Sequence, residues 1–253
     1  MKQRHFFLIS FLAMAQAFSG CAALNPFIQD FNIIPLAQEK EIGVQMSGEV
    51  AKAMTLNQDP ALNKIVNDVG QRLVAQLPRK DFDYKFYVVT DPSPNAFTIP
   101  GGIIYVHTGL FQLAADPTEL AGVIGHEIGH AYERHPSKSM SRTYGIEALS
   151  TVVLKSNPTK LRSMTLQLAK GGITSKYGRD DENEADEMGF YLAQRAGFGT
   201  HGLLNFMRKL EMLTKSDPTL PFLRSHPATP DRVAHLEALQ KGAAGTYTSA
   251  NLL

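Results

Sequence analysis

Apolar positions recur at helical spacing along most of the chain and at strand spacing over one stretch near residue 90. After Asp59-Pro60, the residues Leu62, Ile65, Val66, Val69 and Leu73 follow the three-four period, which predicts a helix over 60–77. Ile42, Val44, Met46, Val50 and Met54 recur more loosely and predict a helix over 36–54. Both read as core helices. Residues 83–90, DYKFYVVT, alternate and are rich in aromatic and β-branched side chains, so they predict a strand. Residues 95–99 and 103–107 predict two more strands, joined as a hairpin by Pro100-Gly101-Gly102. Helical patterning then resumes over 116–135, 145–154, 161–169, 179–196 and 200–213, and again after Thr229-Pro230. The pattern predicts a mainly helical α+β domain with a small antiparallel sheet.

Bulk composition narrows the class. A length of 253 residues fits one domain plus a targeting segment, and 43% hydrophobic residues supply a core. The net charge of +1 gives no reason to expect nucleic acid. Lys160, Arg162, Lys170, Lys176 and Arg179 form a basic stretch that reads as a solvated face. The single cysteine, Cys21, excludes an intrachain disulfide and a cysteine zinc site.

The first residues read as an export signal. Lys2 and Arg4 precede an apolar run over 6–18 that is too short to span a bilayer. It ends in Phe18-Ser19-Gly20-Cys21, which resembles a bacterial lipobox with Phe18 in the usual aliphatic place. Cleavage before a lipid-bearing Cys21 is the expectation; ordinary cleavage after Ala15-Gln16-Ala17 is the alternative. Ala22, where Asp would signal inner-membrane retention, points to the outer membrane, with a soluble periplasmic protein as the alternative without lipid. The expected layout is a signal over 1–20, a lipidated linker over 21–35, a domain over 36–240 and a tail over 241–253.

Residues 116–135 carry the chemistry. They contain His126-Glu127-Ile128-Gly129-His130, an H-E-x-x-H. Residues four apart share a helix face, so His126 and His130 can turn both rings toward one metal ion, with Glu127 beside them as general base. Asp116 as N-cap, Pro117 at the first helical position and Glu119 completing a capping box predict the helix itself. His135 falls off the ligand face and reads as a helix C-terminal histidine, with Pro136 closing the helix. A third zinc ligand is sought in the acidic helix RDDENEADEMG, where Glu182 and Asp186 share a face. If Glu182 binds the metal, Asp186 can accept a hydrogen bond from a ligand histidine. Glu184 and Glu187 then point to solvent. His107 reads as a surface or structural histidine, and His201 and His235 have no motif around them.

Four blocks in this order, NAFTIPGGIIYVHTGL, HEIGH, ENEAD and SHPATPDR, resemble the zinc metallopeptidases grouped with HtpX, the CAAX prenyl protease, BepA and LoiP. The resemblance covers roughly residues 36–240, and the layout is similar to that of the periplasmic lipoprotein branch. It implies a zincin (gluzincin) fold with one Zn²⁺ held by His126, His130 and Glu182. Glu182, not Glu184, falls on the family's ligand position. It also implies that His226 lies at the active site, as oxyanion donor or as an inhibitory zinc ligand; an ordinary loop histidine is the alternative, and the Arg232 guanidinium reads as fixing this loop. The implied substrates are unfolded or misassembled envelope proteins, with the outer-membrane assembly machinery as a partner. The alternative is a chaperone-like envelope scaffold with a rarely used protease site.

Overall fold

A computed structural model describes residues 30–153, 157–169, 177–216 and 219–242. The export signal, Cys21 and nearly all of the tail lie outside the described residues. Helix α1 spans Leu36–Ala53 and α2 spans Pro60–Val74, the latter capped by Asp59, which accepts from the Ala61 N–H at 2.8 Å. Their buried stripes are narrower than the apolar pattern suggested. Val44 is 67% exposed and Ile65 45% exposed. Val44 sits two residues from Ile42 and Met46, on the far side of the helix from both.

The sheet has three strands, β1 (Lys85–Val89), β2 (Ala96–Ile99) and β3 (Ile103–His107), in the order β1-β3-β2. β2 and β3 pair antiparallel as the hairpin expected. β1 pairs parallel to β3, so the sheet is mixed and not wholly antiparallel. β3 takes the centre with every residue buried; of the two edges, β2 is buried throughout and β1 begins at exposed Lys85. Ile104 and Val106 face one apolar cluster while Ile103 and Tyr105 face another, so both faces of the sheet are covered.

After a short α3 (Thr108–Leu113) comes α4 (Pro117–Tyr132), in which every residue from Glu119 onward is buried. A helix wrapped on all sides belongs at the centre of its domain. Next are α5 (His135–Val153), interrupted at Gly145, then α6 (Pro158–Ala169), α7 (Arg179–Arg195), α8 (Gly202–Ser216), α9 (Pro221–Ser225) and α10 (Pro230–Gly242). α6 and α4 both pack against β2. No helix among the described residues is long and apolar enough to cross a membrane.

Helices α4 and α7 cross closely, and small residues make this possible. A Cβ added at Gly189 would lie 2.7 Å from the His126 nitrogen, and one at Gly129 would lie 2.9 Å from the Ala185 backbone. Only glycine lets the two backbones approach this closely. The approach carries Glu182 and Asp186 of α7 to the histidine face of α4.

Candidate metal centre

Helix α4 starts where its cap dictates. Asp116 Oδ1 accepts from the N–H groups of Thr118 and Glu119, at 2.8 and 3.2 Å. The capping box expected from Glu119 does not form. Glu119 is drawn to Lys209 of α8 at 2.6 Å and accepts from the Ala115 N–H instead of that of Asp116. The helix ends before His135. Arg134 turns the chain with φ of 60°, and His135 and Pro136 begin α5. Pro136 therefore opens the next helix, a position that needs no N–H donor.

Four side chains from three parts of the chain converge: His126 and His130 of α4, Glu182 of α7, and His226 just after α9. One ligand atom from each lies within 4.8 Å of all the others. His126 Nε2 is 3.0 Å from His130 Nε2 and 3.2 Å from His226 Nδ1. Glu182 Oε1 is 3.0 Å from His226 Nδ1 and 3.7 Å from His130 Nε2. All four residues are buried. Donors held ~2.0–2.1 Å from a tetrahedral zinc ion stand roughly 3.3–3.4 Å apart, and the observed spacings bracket that value. Imidazole and carboxylate donors without thiolate also suit this ion. The residues present therefore fit a metal.

Around them lies a layer of charge. Asp186 Oδ1 is 2.9 Å from His126 Nδ1, the relation expected from sequence. Arg232 binds Asp186 through two nitrogens, reaches Glu182 Oε2 at 2.6 Å and donates to the Pro227 carbonyl at 3.1 Å, so it holds the turn that follows His226. Burial alone would raise the Glu182 pKa, but Arg232 and His226 outweigh it and the carboxyl sits below its ordinary value. Burial would lower the His226 pKa, yet Glu182 and Glu127 raise it above the usual histidine value. For His130 burial dominates, helped by neighbouring histidines, and its pKa is pushed well below normal.

Glu127 stands beside this cluster. Its Oε2 accepts from Thr98 Oγ1 at 2.7 Å, and its Oε1 lies 3.4 Å from His226 Nε2. Thr98, on β2, also donates toward the Glu127 carbonyl at 3.0 Å. Sequence reading missed Thr98, although its place in the NAFTI block was a usable signal. It missed Tyr177 as well, whose ring stacks on His130 at 4.1 Å between centroids. His135 was placed off the site, but it is fully buried and its Nδ1 lies 2.9 Å from His130 Nδ1. Glu184, expected in solvent, is half exposed and meets His135 Nε2 at 3.1 Å. The five-residue step from His130 misleads because the helix breaks at Arg134 and the chain turns back.

His107 is buried at the end of β3, away from the cluster, and lines a cleft of about 470 Å³. A smaller cleft of about 170 Å³, bordered by Tyr177, Pro227 and Arg232, reaches Glu182 itself. The smaller one matters chemically, because it alone of the two meets the converging donors. His201 and His235 contact Thr118 and Glu187, outside the cluster.

Comparison with known proteins agrees with this geometry. Residues 60–240 match the model of peptidase family M48. The chain is 30% identical over 212 residues to a beta-barrel assembly-enhancing protease of Yersinia pestis, covering 79% of this chain and 43% of that one. It is 32% identical over 157 residues to the metalloprotease YcaL of Escherichia coli (strain K12), covering 61% and 60% of the two chains. It is 26% identical over 213 residues to the mitochondrial metalloendopeptidase OMA1 of Schizosaccharomyces pombe, covering 82% and 62%. The chain spans 43% of the Yersinia protein and 38% of a similar Vibrio cholerae one, about two fifths of each. The family match takes in well over half of the chain, and on it the protein belongs to peptidase family M48, a family of metallopeptidases.

Proposed function

We propose that the protein is a zinc endopeptidase acting on unfolded or misassembled envelope proteins. The observation that carries this reading is the convergence of His126, His130, Glu182 and His226 beside a buried Glu127 that takes no part in the donor set. His126, His130 and Glu182 would hold one Zn²⁺. When bound, such an ion polarises a substrate carbonyl and brings the pKa of a water down to about 7.

The rest of the chemistry belongs to the chain. Glu127 takes a proton from the attacking water and delivers it to the leaving amine. Thr98 fixes one Glu127 oxygen and leaves the other turned toward His226 and the cluster. Asp186 holds the His126 ring by its outer nitrogen, and Arg232 offsets part of the charge of the two buried carboxylates it touches. β2 pairs on one side only among the described residues, which supports recognition of an extended peptide through main-chain groups.

His226 has two roles in this account. At rest its Nδ1 stands among the donors and would serve as a fourth ligand to the ion, which would keep the enzyme inactive. With substrate present it withdraws and donates a hydrogen bond to the developing oxyanion. The resting arrangement also favours a second reading, a chaperone-like scaffold whose protease site is held shut. The protein is anchored by lipid at Cys21 in the outer membrane and faces the periplasm, beside the outer-membrane assembly machinery. The anchor rests on the Phe18-Ser19-Gly20-Cys21 stretch, and the names of the beta-barrel assembly-enhancing relatives support a role beside the assembly machinery.

Digestion of unfolded casein with and without a chelator separates enzyme from scaffold. Chelator-sensitive cleavage supports the enzyme, and no cleavage by the zinc-loaded protein supports the scaffold. Fractionation of Cys21→Ala tests the anchor, which predicts release from the membrane or an uncleaved precursor.

A further inference from the structure

We propose that His135 and Glu184 form a hydrogen-bond relay that positions the His130 ring for metal binding. The inference rests on the reading of His130 as a ligand.

The direction of each bond follows from proton counting. His130 turns Nε2 to the donor cluster, 3.0 Å from His126 Nε2. A ring that gives one nitrogen to a metal carries its proton on the other, so His130 Nδ1–H is a donor. Its partner at 2.9 Å is His135 Nδ1, which must therefore be the bare, accepting nitrogen. A neutral His135 then holds its proton on Nε2. That N–H points to Glu184 Oε2 at 3.1 Å. Asp181 Oδ1 lies 3.6 Å from the same nitrogen, beyond hydrogen-bond range, and Arg142 and the Gly178 N–H hold its Oδ2 at 2.7 and 2.9 Å. Glu184 is thus the acceptor that fixes the His135 tautomer.

The two ligand histidines of α4 are consequently held in different ways. His126 leans on Asp186, a carboxylate buried against Arg232. His130 leans on a neutral imidazole whose own support is a half-exposed carboxylate. Tyr177 stacks on the face of His130 while His135 holds its edge, so the two together stop the ring from rotating. Loss of His135 would leave the buried His130 N–H without an acceptor, which is costly. His135 is a positioning residue, because it touches neither substrate nor metal.

The test reads zinc affinity by chelator competition in the wild type, His135→Leu, His135→Asn and Glu184→Ala, with circular dichroism to follow the fold. Asparagine places its side-chain oxygen near the position of Nδ1 and keeps the acceptor. His135→Leu is expected to weaken zinc binding by about 10–100-fold. His135→Asn should recover most of that loss, and Glu184→Ala should fall between them. Nitrogen-15 NMR of the zinc-loaded wild type adds a readout independent of any variant's folding: His135 should be bare at Nδ1 and protonated at Nε2. Unchanged affinity in His135→Leu, equal loss in the Asn and Leu variants, or the opposite His135 tautomer would each overturn the relay. A wild type that binds no zinc would instead remove the functional reading beneath it.

Discussion

Arg232 clasps Asp186 with two parallel contacts, Nε to Oδ2 and Nη2 to Oδ1, each 2.7 Å and both buried. The same guanidinium reaches Glu182 at 2.6 Å. One cation thus compensates two buried carboxylates on successive turns of α7. Removing it in Arg232→Leu strands both charges and is expected to cost about 3–5 kcal/mol. Arg232→Lys should rescue little of this, because an ammonium cannot make the paired contact. Urea unfolding of the two variants against wild type checks the prediction.

Thr98 supplies the second. Its hydroxyl donates to Glu127 and pins the carboxylate. Thr98→Val keeps the shape and loses the bond. A hydrogen bond to a charged group contributes about 1.5–3 kcal/mol, so kcat should fall roughly tenfold or more. KM and zinc content should stay near wild type, and Thr98→Ser should restore the rate. A change in KM alone would mean that Thr98 does not orient Glu127.

Gly189 gives a stability prediction. An added methyl would press on the His126 backbone at 2.7 Å, where nothing flexible can yield. Gly189→Ala should destabilise the fold by about 1–3 kcal/mol and weaken zinc binding, because the crossing of α4 and α7 must open. Gly48 has open space around its Cβ position, so Gly48→Ala is the matched control and should be neutral or mildly stabilising.

The cap of α4 carries a pH dependence. The Thr118 hydroxyl, and then the Glu119 and Thr118 N–H groups, hold the Asp116 carboxyl below its ordinary pKa. A carboxylate lowered on folding adds stability above its unfolded value near 3.9 and loses it as pH falls through the lower folded value. Asp116→Ala should therefore cost about 1 kcal/mol at neutral pH. The difference should shrink below about pH 4. A difference that stays constant down to pH 2 would contradict the role of the ionised cap.

What could be read from sequence was whatever one helix face or one short motif encodes. His126 and His130 share a face by spacing alone, and the structure brings both beside Glu182, Asp186 and His226. Contacts that depend on where the chain returns were not legible. The parallel pairing of β1 with β3 depends on the path of the chain between them, which no local period encodes. His135 looked misplaced because a helix was assumed to continue where Arg134 turns it. Thr98 and Tyr177 come from a strand and a loop far from α4 in sequence, so no local period points to either. Gly125, Gly129, Ala185 and Gly189 did hold a readable signal, small residues four apart on two helices that must cross closely.

The central claim is that Glu127 is the base of a metal-dependent peptidase and is not a ligand. Its most direct test is Glu127→Gln, with zinc content and cleavage of an unfolded protein measured on the same preparation. The account predicts about one zinc per chain, as in wild type, and a rate lower by about 10²–10⁴-fold. Wild-type cleavage by the zinc-loaded variant, or loss of zinc along with activity, would contradict it.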